Sequence, residues 1–277
     1  MEKKGTGERL STDVFNETTI EHLHRYAIAL DFVQDKKVLD IACGEGYGAN
    51  LLSEKASLVT GVDKDDAVIT NASARYKNQN LRFICGIAGD IPLPENEYDI
   101  VTSFETIEHV NDQPKMLAEI KKTLKPGGLL ILSTPDKKNY SDKTGRRNPY
   151  HVKELYEQEL MTLLKQYFSN IKILKQRTIL SSLVTAPEQT NLVTYSGDYN
   201  HIDKACMPEA LYFIALASDG DIPPVTTSLF NGQFVYQHIL REREKFVANT
   251  ITYKTGHILL YPFKMLRRLF RKNNPRH

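Results

Sequence analysis

VLDIACGEGYG, residues 38–48, decides the fold. VLDIA reads as a strand buried on both faces, because its apolar residues run almost without interruption. It passes directly into CGEGYG and a helical stretch over residues 47–55. Glycine lets a backbone approach a ligand closely, and the helix that follows points its first N–H groups at the same spot. Strand, glycine loop and helix in that order open a nucleotide-binding fold.

The same alternation continues on both sides. SLVTGVD predicts a strand ending at Asp63, followed by a helix over residues 66–76 and a strand over 81–85. After the polar loop GDIPLPENE come the strand YDIVTSF, a helix over 114–124, and the strand LLILSTP behind a Pro126-Gly127-Gly128 turn. A polar insertion at 136–149, the amphipathic helix VKELYEQELMTLLKQYF and the strands IKILKQR and LYFIALA follow. Upstream, residues 20–32 predict a helix with Leu23, Ala27 and Leu30 on one face. Strands alternating with helices at this spacing mean βαβ units. The expected fold class is α/β, a Rossmann-like, doubly wound, mostly parallel seven-stranded sheet. Residues 1–35 are expected to form an N-terminal helical cap, 36–220 the sheet domain, and 221–277 a basic C-terminal helical extension. Residues 181–208, rich in Ser, Thr, Asn and Tyr, are expected to cross over the active face.

Two acids narrow the ligand. Asp63 ends the second strand 19 residues beyond Gly44, where a carboxylate accepts both hydroxyls of a ribose. Asp40 stands four residues before the first glycine, so the loop reads DxxxGxG rather than the GxGxxG of a dinucleotide site. An acid at the strand end repels a pyrophosphate and suits a cationic ligand such as S-adenosylmethionine. At these residues the chain resembles the class I S-adenosylmethionine-dependent methyltransferases. The resemblance covers residues 5–217 and rests on DIACGEGYG, GVD at 61–63, GDIPLPENEYDIV, FETIEHV and LKPGGLLILSTP, in that order. It implies that Gly44 and Gly46 line the methionine part of the cofactor, with Asp40 the acid of the preceding strand. Asp63 would hold the ribose, and Asp90 with Ile91 the adenine. It further implies that Phe104 contacts the cofactor, and that Arg25 reaches it from the N-terminal helix, as in ubiquinone-type O-methyltransferases.

Glu105, Glu108 and His109 follow the fourth strand at i, i+3 and i+4, and a helix opening at Glu105 would turn all three to one side. Two carboxylates and an imidazole suit Mg²⁺ or another divalent metal, with His151 in NPYHVKEL as the fourth ligand. ExxEH with a distant histidine resembles the small-RNA terminal 2′-O-methyltransferases, and ExxEH alone resembles the ubiquinone O-methyltransferases. Both likenesses imply a metal that grips neighbouring substrate oxygens. The residues equally admit a metal-free reading, in which the acids answer a helix dipole and His109 is a base or a structural histidine. His109 and His151 are the candidate catalytic residues. A hydroxyl acceptor must be aligned and lose its proton, which a metal on two adjacent oxygens assists; an amine needs neither.

GERLSTD, EHLHRYAIAL, FETIEHV, STPD and NPYHVKELY more narrowly resemble methyltransferases found beside or fused to glycosyltransferases in bacterial surface-polysaccharide synthesis. That likeness implies a sugar or glycan substrate and O-methylation of a sugar hydroxyl. Tyr140, Arg146, Arg147, Tyr195 and Tyr199 either line that sugar or coat loops. Rival readings are a quinone-like or catechol acceptor, a cofactor-binding module without catalysis, and RNA 2′-O-methylation.

Hydrophobic residues make up 41% of the chain and charged residues 25%, which excludes disordered and fibrous classes. The net charge of +2 hides an asymmetry: residues 241–277 hold ten Lys or Arg against two acids, leaving 26 basic and 32 acidic residues in the first 240. An acidic body without a broad basic face disfavours nucleic acid. ITYKTGHILLYPFKMLRRLF, residues 251–270, has the make-up of an interfacial amphipathic helix broken at Pro262. It predicts either peripheral contact with an anionic membrane or a helix docked on the domain or on a second subunit. Cys43, Cys85 and Cys206 are odd in number and far apart, which predicts buried free thiols in a reducing compartment. MEKKGTGERL has no apolar secretory stretch, so the expected location is cytoplasmic, with the inner membrane face as the tail's station. The sequence specifies no oligomeric state.

Overall fold

The computed structural model describes residues 10–181, 183, 192, 194–197 and 202–272, with backbone alone at 257 and 264–272. One sheet is built from β1 (Lys37–Ile41), β2 (Leu58–Asp63), β3 (Leu81–Cys85), β4 (Tyr98–Phe104), β5 (Leu124–Pro135), β6 (Asn170–Gln176) and β7 (Tyr212–Ser218). The order is β3-β2-β1-β4-β5-β7-β6. Neighbours from β3 through β5 pair in parallel, and β7 alone runs antiparallel to both strands beside it. This is the mostly parallel seven-stranded sheet that the alternating pattern predicts.

Five helices accompany it: α1 (Glu17–Leu30), α2 (Tyr47–Leu52), α3 (Asp66–Arg75), α4 (Gln113–Thr123) and α5 (Glu157–Leu164). Tyr26, Ala29, Ala49 and Leu52 of α1 and α2 share one core with Val38, Val59 and Ile100. Met116, Leu117, Leu160 and Leu164 of α4 and α5 share the other with Leu39, Ile41 and Val101. Val38 and Leu39 thus bury on opposite faces of one strand, which is why VLDI carries no polar alternation. The strand order reverses between β1 and β4, and open α/β sheets bind ligands beyond the carboxyl ends of the strands at such a point. There β1 gives way to the glycine loop, β2 ends at Asp63 and β4 at Phe104.

Some expectations change. α1 begins at Glu17 under an Asn16 cap that exchanges hydrogen bonds with Thr19. Its buried face carries Arg25, Tyr26, Ile28 and Ala29, while Leu23, Ala27 and Leu30 stay half-buried. Apolar spacing misplaces this face because polar partners under the helix admit Arg25 and Tyr26. Cys43 is buried, but Cys85 and Cys206 are exposed. Much of 181–208 lies outside the described residues, which include a hairpin pairing Tyr195–Gly197 with Ile202–Lys204.

The chain splits into two compact units, Met1–Phe230 and Asn231–His277. The second holds α6 (Gln233–Asn249) and α7 (Ile251–Lys272). α7 continues through Pro262, so the expected break is absent: the ring removes one N–H without ending the helix. No helix among the described residues is long and apolar enough to cross a membrane.

Candidate active site

β1 leaves the sheet through left-handed backbone at Ala42 (φ 57°), Gly44 (φ 54°) and Gly46 (φ 81°). A Cβ on Gly46, the N-cap of α2, would stand 2.7 Å from the Phe83 ring, so this turn closes only around glycine. Asp63 pins the loop from the next strand: Oδ2 accepts from the Gly44 N–H at 3.0 Å and Oδ1 from the Asp65 N–H at 3.1 Å. From the N-terminal side, the Thr12 amide and hydroxyl donate to Glu45 Oε2 at 3.0 and 2.6 Å.

Asp40 lies sealed beneath this loop. Its carboxylate accepts from Thr102 Oγ1 at 2.7 Å and from the Tyr26 hydroxyl at 3.2 Å. Burial pushes its carboxyl up to about 7, against the pull of those two hydroxyls. Phe104, also buried, meets Tyr26 edge-on with ring centres 4.9 Å apart. Asp90 is exposed on the turn after β3, and Ile91 is packed into the core. A cradle that a side chain would fill, an acid pinned at the end of β2 and no basic residue between 40 and 48 fit a cationic nucleoside of the S-adenosylmethionine kind.

Arg25 rises from α1 with almost no exposure. Its Nε donates to Gln176 Oε1 at 2.8 Å, its guanidinium lies 4.5 Å over the Tyr212 ring, and Nη1 is 3.2 Å from Glu105 Oε1. That last contact is an ion pair by distance only; Nη1 and Nη2 complete no hydrogen bond. Glu105 itself has a left-handed backbone, φ 49°, and accepts from the Ser133 hydroxyl at 2.7 Å. No helix opens here. A single 3₁₀ turn, Ile107–His109, follows instead.

The turn and the loop after β5 bring Glu108, His109 and His151 together, with ligand atoms all within 4.8 Å of one another. Backbone stitches the two segments: the amides of Val152 and Lys153 both donate to the Glu108 carbonyl, at 2.8 and 3.1 Å. His109 Nδ1 lies 3.1 Å from the Tyr150 carbonyl, an acceptor only, so the neutral ring carries its proton there and its lone pair on Nε2. His151 Nδ1 meets Glu154 Oε1 at 2.6 Å, and its Nε2 faces the Asn148 amide at 2.9 Å. The two rings cross edge-to-face at 4.9 Å, and Tyr140 stacks on His151 at 5.6 Å. Glu108 is buried and accepts from Thr134 Oγ1 at 3.0 Å. Burial first, and then the charge of Glu105, hold its carboxyl well above the ordinary range.

Two imidazoles, each with Nδ1 held by an oxygen acceptor, and one buried carboxylate form a donor set that fits a divalent ion. Glu105 does not belong to it, contrary to the four-ligand expectation, because its left-handed turn commits the side chain to Ser133 and Arg25. Tyr140 joins the cluster, Arg146, Arg147 and Tyr195 are exposed, and Tyr199 lies outside the described residues. Sequence reasoning missed Tyr26, Thr134, Glu154 and Gln176. Only Glu154 had a usable signal, its spacing of three from His151.

Residues 39–132 match the family model described as a methyltransferase domain. The chain is 38% identical over 131 residues to the "Probable S-adenosylmethionine-dependent methyltransferase" of Mycolicibacterium smegmatis, covering 47% of this chain and 50% of that protein. It is 33% identical over 104 residues to the ubiquinone biosynthesis O-methyltransferase of Coxiella burnetii, covering 37% and 44%. The chain thus spans about half the length of the curated relatives it matches. Among solved structures, the YcgJ protein of Bacillus subtilis superposes with a TM-score of 0.56 at 18% identity, over 72% of this chain and 100% of that one. The PH0226 protein of Pyrococcus horikoshii gives 0.53 at 19% identity, over 73% and 89%. Those two likenesses bear on the fold alone. Residues 39–132 thus resemble a methyltransferase domain, and the curated relatives matched over this part of the chain include S-adenosylmethionine-dependent methyltransferases.

Proposed function

We propose that the protein is an O-methyltransferase that moves the methyl group of S-adenosylmethionine to a sugar hydroxyl in glycan or nucleotide-sugar biosynthesis. One observation carries the reading: Glu108, His109 and His151 gather beyond the ends of β4 and β5 with polar and aromatic neighbours, Tyr140, Asn148 and Glu154. A neutral amine brings its own lone pair to the reaction, whereas a hydroxyl must give up a proton, and this cluster is equipped to take one.

S-adenosylmethionine, when bound, supplies the electrophilic methyl group, and a divalent ion at the cluster would supply positive charge to adjacent acceptor oxygens. The residues of the chain do the rest. Asp63 and the loop amides hold the nucleoside end of the donor. With no ion in the cluster, His109 takes the acceptor's proton at Nε2, and its Nδ1–H stays on the Tyr150 carbonyl while the ring becomes cationic; an ion held there would use the same Nε2 as a ligand instead. Glu154 fixes the His151 ring with its proton on Nδ1, so that the Nε2 lone pair, which accepts from the Asn148 amide at 2.9 Å, is the one a ligand would compete for. Tyr140, stacked on His151 and tilted against Tyr212, adds an aromatic wall to the cluster. Two imidazoles with one carboxylate favour Mn²⁺ or Zn²⁺ over the all-oxygen preference of Mg²⁺.

The likeness to the Coxiella ubiquinone biosynthesis O-methyltransferase favours a second reading, a catechol or quinone-like acceptor whose adjacent oxygens would suit the same cluster. Mass spectrometry separates the two. The protein is incubated with glycan, nucleotide-sugar and quinone-precursor pools and isotope-labelled S-adenosylmethionine, with and without chelator. Label on a sugar oxygen, lost with chelator and regained with Mn²⁺, is the expected result. Label confined to an amine or a quinone overturns the sugar reading, and sugar methylation indifferent to chelator overturns the metal while leaving His109 as base.

A further inference from the structure

We propose that α7 lies flat on an anionic lipid bilayer, its apolar side sunk among the acyl chains and its basic side turned to the headgroups. Three observations in this helix carry the idea. First, the helix is continuous over 22 residues, about 33 Å at 1.5 Å per residue, and Pro262 does not interrupt it. Second, at about 100° per residue, positions 251, 258, 262, 265 and 269 fall along one line, with 259, 263, 266 and 270 beside it. All nine are Ile, Leu, Met, Phe or Pro. Where side chains are described they are bare: Ile251 is 84% exposed, Ile258 72%, Leu259 67% and Phe263 67%. Third, residues 251–272 contain six Lys or Arg and no acid, and all six fall on the opposite arc.

The partner follows from both arcs together. A second copy paired as a coiled coil would use a narrow apolar seam flanked by charges of both signs, whereas here the apolar arc is about 160° wide and the polar arc has one sign. Nucleic acid would engage the basic arc and leave the apolar arc in water. A bilayer with anionic headgroups satisfies the two at once. The helix is not apolar enough to span, so it docks along the surface.

The chain contains no tryptophan, so a single one introduced on either arc reports its own surroundings. Phe263→Trp and Leu260→Trp, on the apolar and basic sides, are made in the full chain and mixed with phosphatidylcholine vesicles with or without phosphatidylglycerol. Fluorescence from residue 263 is expected to shift to the blue and to be quenched by brominated acyl chains on anionic vesicles, with little response from residue 260. Affinity should fall at least about tenfold on pure phosphatidylcholine, and by a similar factor for Phe263→Glu at unchanged helix content. The proposal is overturned by an absent shift, by equal responses at 260 and 263, or by tighter binding to nucleic acid than to vesicles. It is also overturned by a dimer that Phe263→Glu dissociates while vesicles go unbound.

Discussion

The Tyr26 ring occupies the volume that a side chain at residue 48 would need: its nearest atom is 1.9 Å from the position of a Cβ on Gly48. The first turn of α2 and the buried face of α1 therefore fit each other only around a hydrogen atom. Gly48→Ala should push Tyr26 off the loop and cost about 1–3 kcal/mol of stability, as overpacking does. In a Tyr26→Ala background the same substitution should cost much less. A four-corner set of urea unfolding curves measures the difference, and additive costs would contradict the packing argument.

His151 and Glu154 meet at 2.6 Å, and the carboxylate is what sets the ring's tautomer. Glu154→Gln should weaken Mn²⁺ binding by about 10–100-fold, the range for an outer partner of a ligating histidine, and Glu154→Asp should recover part of it. Glu105→Gln should leave affinity within about twofold, because Glu105 serves Arg25 and Ser133 instead. Titration followed by electron paramagnetic resonance reads all three.

Asp40 gives stability a pH dependence with a definite sign. Its folded value, about 7, lies above its ordinary value of 3.8, so the folded chain holds a proton that the unfolded chain releases. Stability conferred by that proton is full below the ordinary range and declines as pH climbs toward 7. Asp40→Asn escapes the decline. Its margin over the wild type should widen by a few kcal/mol between about pH 4 and pH 7 and then level off. Unfolding midpoints in urea across that window, without cofactor, give the answer, and a constant margin would count against it.

Asp63 ends β2 and Asp90 follows β3, but only Asp63 is bonded to the glycine loop. Asp63→Ala should weaken binding of S-adenosylhomocysteine by about 10–100-fold, the usual size for hydrogen bonds to a charged group. Asp90→Ala, at an exposed turn, should change it by less than about threefold. Isothermal titration calorimetry compares them directly.

The parts of this molecule legible in the sequence are those that repeat a period or require a residue type. VLDIA shows itself as a two-faced strand, Gly44 and Gly46 as a left-handed loop, and Asp63 as the acid after it. The parts that were not legible depend on what a side chain meets across the chain. Arg25 reads as a cofactor contact on the resemblance alone, and nothing local in the sequence shows that its Nε is bonded to Gln176, 151 residues away. Glu105 fits a helical i, i+3, i+4 set on paper, but one left-handed residue removes it from that set. His151 was anticipated from its motif, whereas the backbone bonds that carry it to His109 leave no mark in residue type.

Those bonds have a dynamic consequence. Val152 and Lys153 hang both amides on one carbonyl, that of a buried residue, so the loop after β5 cannot lift without stranding Glu108 and separating the two histidines in the same movement. Opening and disarming are one event. Hydrogen exchange at amides 152 and 153 should therefore follow a single opening equilibrium, and the fraction of time they spend closed is the fraction of time His109 and His151 stand together.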